Sequence, residues 1–190
     1  MTNGGISRSL STDTMLQVHD KQFVPYISRQ RIDERIAALG AEISKDYAGK
    51  HPLFIAILNG SFIFAADLFR ALTIEAEISF IKLASYKGTT STGNVVTAIG
   101  MEEKISGRHV IILEDIVDTG KTLSAFLPEI EQRTPASLKI ATFLTKPEAL
   151  QHEVVTDYVG FRIPNNFVLG YGLDYDGLGR NLPELYTLAG

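Results

Sequence analysis

Residues 110–123 read VIILEDIVDTGKTL, and no other stretch constrains the fold as tightly. A short continuous apolar run of this kind is the mark of a strand covered on both faces. It runs straight into two adjacent acids, Glu114 and Asp115, and then into Asp118, Thr119, Gly120, Lys121 and Thr122. The pattern predicts a buried strand, a tight turn and the start of a helix. Acids at the end of such a strand are costly without a ligand or partner. Successive turn amides at a helix N-terminus make a cradle for an anion. Acids followed by an anion cradle point to a ligand with both hydroxyls and phosphate, bridged by a metal. The plainer reading is a strand–turn–helix with solvated acids.

The rival is a nucleoside-triphosphate P-loop, which also ends in GKT. That motif needs glycine five positions before Gly120. Asp115 stands there, so the motif fails. A carboxylate at that place repels a triphosphate and suits a ribose diol.

The chain has 190 residues, a length that suits one α/β domain. It is 45% hydrophobic, enough for one core, and its net charge of −4 offers no field for nucleic acid. It lacks cysteine, which excludes a disulfide framework and thiolate chemistry. His19, His51, His109 and His152 are too scattered to make a metal-spacing pattern. The polar N-terminus contains no run resembling a signal peptide, and residues 1–20 are expected to be a disordered tail. No uncharged apolar stretch reaches the ~18 residues of a membrane span, so a cytoplasmic enzyme without membrane contact is expected.

Ser28 is placed to cap a helix carrying Ile32, Ile36, Leu39, Ile43 and Tyr47 on one face. Residues 53–58 read as a two-sided strand broken by Asn59, Gly60 and Ser61, with a helix over 62–72 and a strand over 74–83. The small, polar stretch 84–94 reads as a long flexible loop. Further strands are expected at 95–99, 110–113, 138–144, 158–163 and 167–169, with a helix from Gly120 to about Arg133. The last twenty residues look irregular. Alternating strands and helices imply a mostly parallel sheet with right-handed crossovers. Ligands of such sheets sit at the carboxyl ends of strands, where the breaks at Asn59, Glu114 and Lys146 all fall.

Taken together, LNGSF (58–62), ASYKGTTSTG (84–93), VIILEDIVDTGKTL, LTKP (144–147) and FVLGYGLDYDGLGRNLPEL (167–185) resemble the type I phosphoribosyltransferases, in particular their bacterial hypoxanthine branch. The resemblance covers residues 22–185. It implies an α/β fold with a mostly parallel central sheet flanked by helices. A small hood lobe would come largely from about 145–190, within one domain over 21–190. It implies purine salvage: ribose 5-phosphate passes from phosphoribosyl pyrophosphate to hypoxanthine or guanine, through an oxocarbenium-like state, with Mg²⁺ as cofactor.

The resemblance also assigns roles. Glu114 and Asp115 would meet the ribose hydroxyls, directly or through a magnesium shell, and residues from Asp118 to Thr122 would hold the 5-phosphate. Asp118 would be the general base; its alternative is to cap the helix. Lys146 would donate to the 6-oxygen of the purine, where adenine carries an amine. Phe167 would stack on the base, although it reads as core without the family. Val168 would offer main-chain groups to the base edge. Asp174 would help hold a second Mg²⁺ through water. Arg180, otherwise a surface cation, would clamp pyrophosphate alongside Asn59 and Gly60, whose loop holds a non-proline cis peptide in the family. Ser85 and Tyr86 would begin a mobile loop that closes over the reaction and excludes water; a plain exposed hairpin is the alternative.

Two departures stand out. Asn59 replaces the Lys or Arg of many relatives, which weakens pyrophosphate binding or shifts it to Arg180. Gly179 occupies a usually aromatic position, which would loosen the terminal lobe. A homodimer or homotetramer is expected by analogy. The competing functions are a nucleotide or phosphoribosyl pyrophosphate sensor of the same fold, a xanthine-preferring transferase, and a transferase for orotate or adenine. The sensor fits poorly with a complete Asp118 motif and loop, and Lys146 argues against orotate and adenine.

Overall fold

In the computed structural model, which describes residues 7–8, 15–87 and 94–189, the continuous apolar runs form the middle of a six-stranded sheet. The N-terminal strands are β1 (Ser7–Arg8), β2 (Leu16–Val18) and β3 (Lys21–Ile27), followed by α1 (Arg29–Asp46). Next come β4 (Leu53–Leu58), α2 (Phe62–Ala71), β5 (Glu77–Lys87), β6 (Asn94–Ile99) and β7 (His109–Val117). The chain finishes with α3 (Lys121–Glu131), β8 (Ser137–Thr145), a 3-10 turn (Pro147–Ala149), β9 (Tyr158–Arg162), β10 (Val168–Leu169) and β11 (Leu185–Leu188). The large sheet has the order β6-β5-β4-β7-β8-β9, parallel except for the antiparallel β5–β6 pair.

Ser28 caps α1 as its sequence position predicts, its hydroxyl accepting from the Arg31 amide at 3.5 Å. Ile32, Ile36, Leu39 and Ile43 face one side of the sheet, against Phe54, Ala56, Ile111 and Leu113. On the other side α3 buries Leu123, Phe126 and Ile130 against Ile55, Ile112 and Ile140. Alternate residues of β4 and β7 thus serve opposite cores, which is why those strands read as unbroken apolar runs. Each such side chain contributes about 1.5–3 kcal/mol by leaving water.

The hood is a second, antiparallel sheet of order β1-β2-β3-β11-β10. Its C-terminal part is where the resemblance places it, and three N-terminal strands complete it. The expected disordered tail over 1–20 therefore needs correction at 16–18: Leu16 and Val18 are buried in β2 with Phe23, Leu169, Leu182 and Tyr186. Residues 1–6 and 9–14 of that stretch lie outside the described residues. The final segment, read as irregular, includes β11, whose register with β3 shifts between Leu185 and Tyr186. The stretch read as a loop from 84 is also corrected, because β5 continues to Lys87. Ser85 pairs with Val96 and Tyr86 with Val95. Residues 88–93 of the expected loop lie outside the described residues.

Candidate active site

β7 is longer than its apolar run. Its ladder with β4 ends at Ala56–Leu113, while its ladder with β8 continues through Glu114–Thr142 to Val117–Thr145. Past Leu113 the strand is therefore open on one side, and the turn after β4 fills that side. The peptide between Leu58 and Asn59 is cis, as the resemblance implies. Gly60 lies so close to Asp115 that a Cβ there would meet Oδ2 at 1.4 Å. A Cβ on Gly172 would in turn meet the Gly60 carbonyl oxygen at 2.1 Å. The Asp115 carboxylate, the 58–60 turn and the hood segment are stacked, with only glycine thin enough for the two inner layers.

The two acids sit in a poor environment for charge. Glu114 Oε2 is enclosed without a hydrogen-bond partner. Burial, and secondarily the charge of Asp115, push the Glu114 carboxyl well above its usual range. Burial also raises Asp115, against the opposing pull of the Ile116 amide, which donates to Oδ1 at 2.9 Å, and of Arg180. Both carboxylates favour a cation beside them. Among the described residues no three acids or histidines gather into an all-protein metal cage.

Beyond β7 the chain turns through Asp118–Thr119–Gly120. Gly120, with φ 76°, stands at the N-cap of α3 without a side-chain cap bond. Residues 116–123 and Glu114 line a pocket of about 90 Å³. The Gln151 and His152 amides donate to the Thr119 carbonyl at 3.0 and 3.1 Å and brace the turn from outside. Lys121 and Thr122 are exposed at its mouth.

Asp118 does not cap α3. Its Oδ2 accepts from Lys146 Nζ at 3.0 Å, with the lysine side chain 8% exposed and the aspartate 46%. Lys146 follows β8, and its own amide donates to the Val117 carbonyl at 2.9 Å. Parallel pairing of β7 with β8 thus brings two residues 28 apart in sequence into one ion pair beside the 118–120 turn.

The hood carries the other candidate residues and meets the sheet at the Gly60 turn, where Gly172 packs on the Gly60 carbonyl. Phe167 is 42% exposed, so the core reading of this ring does not hold. Its ring lies 5.7 Å from that of Tyr175, with Lys21 Nζ 5.7 Å from its centroid. Val168 is buried and pairs with Thr187. Asp174 Oδ1 meets Arg180 Nη2 at 2.6 Å and its Oδ2 accepts from the Gly177 amide at 2.8 Å. Arg180 Nη1 also donates to the Gly172 carbonyl at 2.7 Å. The concern that Gly179 would loosen this lobe has a counterweight: at φ 100°, a Cβ on Gly179 would meet Leu169 Cδ1 at 2.3 Å, so Leu169 already fills the space. Asn59 is exposed beside the turn. Sequence reasoning did not anticipate Lys21 and Tyr175 beside the Phe167 ring: no element was expected at 21–27, and Tyr175 lies in the final segment read as irregular.

A turn hinged on Gly120 at the start of α3, a half-buried, desolvated acid pair and a hood segment packed on the turn after β4 of a parallel sheet define a phosphoribosyl-transferring class of protein. Residues 27–176 match the phosphoribosyl transferase domain, and the chain belongs to that family. The sheet and hood are those of its type I fold. A hypoxanthine-guanine phosphoribosyltransferase of Streptococcus pneumoniae is 44% identical over 163 residues, 85% of this chain and 91% of that protein. The hypoxanthine phosphoribosyltransferase of Buchnera aphidicola is 45% identical over 162 residues, 84% of this chain and 92% of that protein. A crystal structure of a Bacillus anthracis hypoxanthine-guanine phosphoribosyltransferase superposes with a TM-score of 0.80 at 37% identity, covering 87% of this chain and 98% of that one.

Proposed function

We propose that this protein transfers ribose 5-phosphate from phosphoribosyl pyrophosphate to hypoxanthine or guanine, releasing pyrophosphate and forming the purine nucleoside monophosphate. The observation that carries this reading is the Lys146–Asp118 pair beside the anion turn. An ammonium has three protons to donate. Lys146 can therefore hold Asp118 and also donate to a 6-oxygen, while Asp118 accepts the proton from the imidazole ring of the same base. Adenine presents an amine where Lys146 needs an acceptor, and its binding leaves an ammonium proton not given to Asp118 without a partner.

The rest of the site fits around the base. Residues 118–122 take the 5-phosphate on turn amides and hydroxyls. Glu114 and Asp115 take the ribose hydroxyls and stabilise the positive charge that develops on the ribosyl ring. Gly60, Asn59 and Arg180 face the departing pyrophosphate, Phe167 stacks on the base, and Val168 lies at its edge. The enclosed, unpartnered Glu114 oxygen and the raised carboxyls fit a divalent cation near them. Glu114, Asp115 and Asp174 would help hold Mg²⁺ there, and the ion would supply neutralisation of the departing pyrophosphate. The ribbon carrying Ser85 and Tyr86 closes over the reacting groups and keeps water from the ribosyl cation. No helix among the described residues is long and apolar enough to cross a membrane. We place the enzyme in the cytoplasm, as a homodimer or homotetramer without nucleic-acid partners.

The test is nucleotide formation from phosphoribosyl pyrophosphate with hypoxanthine, guanine, xanthine and adenine in parallel, each with Mg²⁺ and with chelator. Magnesium-dependent product from hypoxanthine or guanine is expected. Donor binding without product from any base would make the protein a sensor instead.

A further inference from the structure

Tyr171 is completely buried where the hood meets the sheet, its ring 4.6 Å from that of Phe143. Its hydroxyl donates to Asp67 Oδ2 at 2.9 Å. The same oxygen accepts from Arg29 Nη2 at 3.0 Å, and Arg29 also reaches Asp33 at 2.7 Å. Three separate parts of the chain meet here: the first turns of α1, the middle of α2, and the 170–172 segment of the hood. Asp67 is only 14% exposed, so its bonds are shielded from competing water.

Both ends of this cluster lead into the site. α2 starts two residues after Gly60, and Ser61 anchors its start by donating to the Ile57 carbonyl at 2.6 Å. Gly172, the residue after Tyr171, packs on the Gly60 carbonyl with no room for a side chain. The Gly172 carbonyl also holds Arg180 Nη1, and its amide donates to the Arg180 carbonyl at 3.0 Å. A shift of Tyr171 therefore moves Gly172, and with it both the fit on Gly60 and the seat of Arg180.

We propose that Tyr171, held by Asp67 and Arg29, is a positioning residue that sets Gly60 and Arg180 for the pyrophosphate group of the donor. The inference rests on the reading that those two residues face pyrophosphate. Phe143 fixes the ring by packing, whereas the hydroxyl fixes the ring's position relative to α2. Burial and the neighbouring Asp67 hold the phenol far above its usual range, so it stays a donor at any working pH.

The experiment compares Tyr171→Phe, Asp67→Ala and the double variant with the unaltered protein. Calorimetry gives affinity for phosphoribosyl pyrophosphate and for pyrophosphate, each with Mg²⁺, and steady-state kinetics give KM for hypoxanthine. Each single variant should weaken donor and pyrophosphate binding about tenfold, in keeping with loss of one hydrogen bond to a charged group. The KM for hypoxanthine should move less than about twofold, and the double variant should bind donor no worse than the weaker single variant, as expected of residues acting in series. A lowered melting temperature with unchanged donor affinity would reduce the cluster to a structural role. Equal losses for donor and base would also overturn the proposal. If Tyr171→Phe does not fold, Asp67→Ala carries the same comparison. Should the unaltered protein bind donor but turn over no base, the proposed function fails while donor affinities still decide this inference; no donor binding at all overturns both.

Discussion

At the scale of single residues, the pairing of Asp118 with Lys146 makes two chemically different predictions. Asp118→Asn keeps the shape of the side chain but removes the carboxylate that the proposed function uses to take up the proton of the base. It should lower kcat by ~10²–10⁴-fold, the usual contribution of a general base, and leave donor affinity nearly intact. A loss confined to phosphate affinity would instead return Asp118 to a role in the turn. Lys146→Met keeps most of the stem and removes the ammonium. It should raise the KM for hypoxanthine roughly 10- to 100-fold, the range for leaving a buried polar group without its charged partner. Donor affinity should stay within about twofold in that variant. If adenine and hypoxanthine were affected alike, Lys146 would not be reading the 6-position.

At the scale of elements, the hood depends on chain that precedes α1. Leu16 and Val18 point into the same small core as Leu169 and Leu182. Deleting residues 1–18 removes two buried aliphatic side chains, each worth about 1.5–3 kcal/mol, and so should lower Tm on the order of 10 °C for a chain of this size. Unchanged thermal stability would mean that the hood closes without β2. This element was not legible because three residues are too few to show a period of two against polar neighbours. β11 escaped for a related reason: its buried Leu185 and Tyr186 are adjacent, and the bulge against β3 breaks the alternation that would have marked a strand. The large sheet was legible because both its faces are covered, so β4 appears as an unbroken apolar run from 53 to 58. The strand end and turn of the candidate site were legible because one segment, residues 114–122, carries them. It was hidden where it is assembled from distant segments. Neither Asp67 nor Tyr171 has a local pattern, and only the packing of α2 under the hood brings them together.

For the whole molecule, the acid pair links stability to pH and to ligand. Burial raises the Glu114 and Asp115 carboxyls in the folded chain, whereas the unfolded chain ionises them at ordinary carboxyl values. Between the ordinary and the raised values the folded protein therefore holds more protons than the unfolded one. Stability from these groups is present at acid pH and is lost as pH rises through that window. Carboxylates with the opposite behaviour blur the total, such as Asp20, which the Tyr175 hydroxyl lowers. The difference between the protein and its Glu114→Gln variant isolates the Glu114 contribution. Without ligand, Glu114→Gln should melt higher above the window by roughly 2–4 °C, the shift that ~1 kcal/mol makes at this chain length. The gain should vanish toward acid pH, where Glu114 is protonated and resembles glutamine. Phosphoribosyl pyrophosphate with Mg²⁺ should reverse the order, because a ligand stabilises in proportion to its affinity for the folded state and the proposed function gives its binding to the charged pair. Scanning calorimetry across pH, with and without donor and Mg²⁺, reads both effects. Equal melting of the two proteins at every pH without ligand would show that Glu114 ionises freely, and the site would then lose its physical reason to attract a cation.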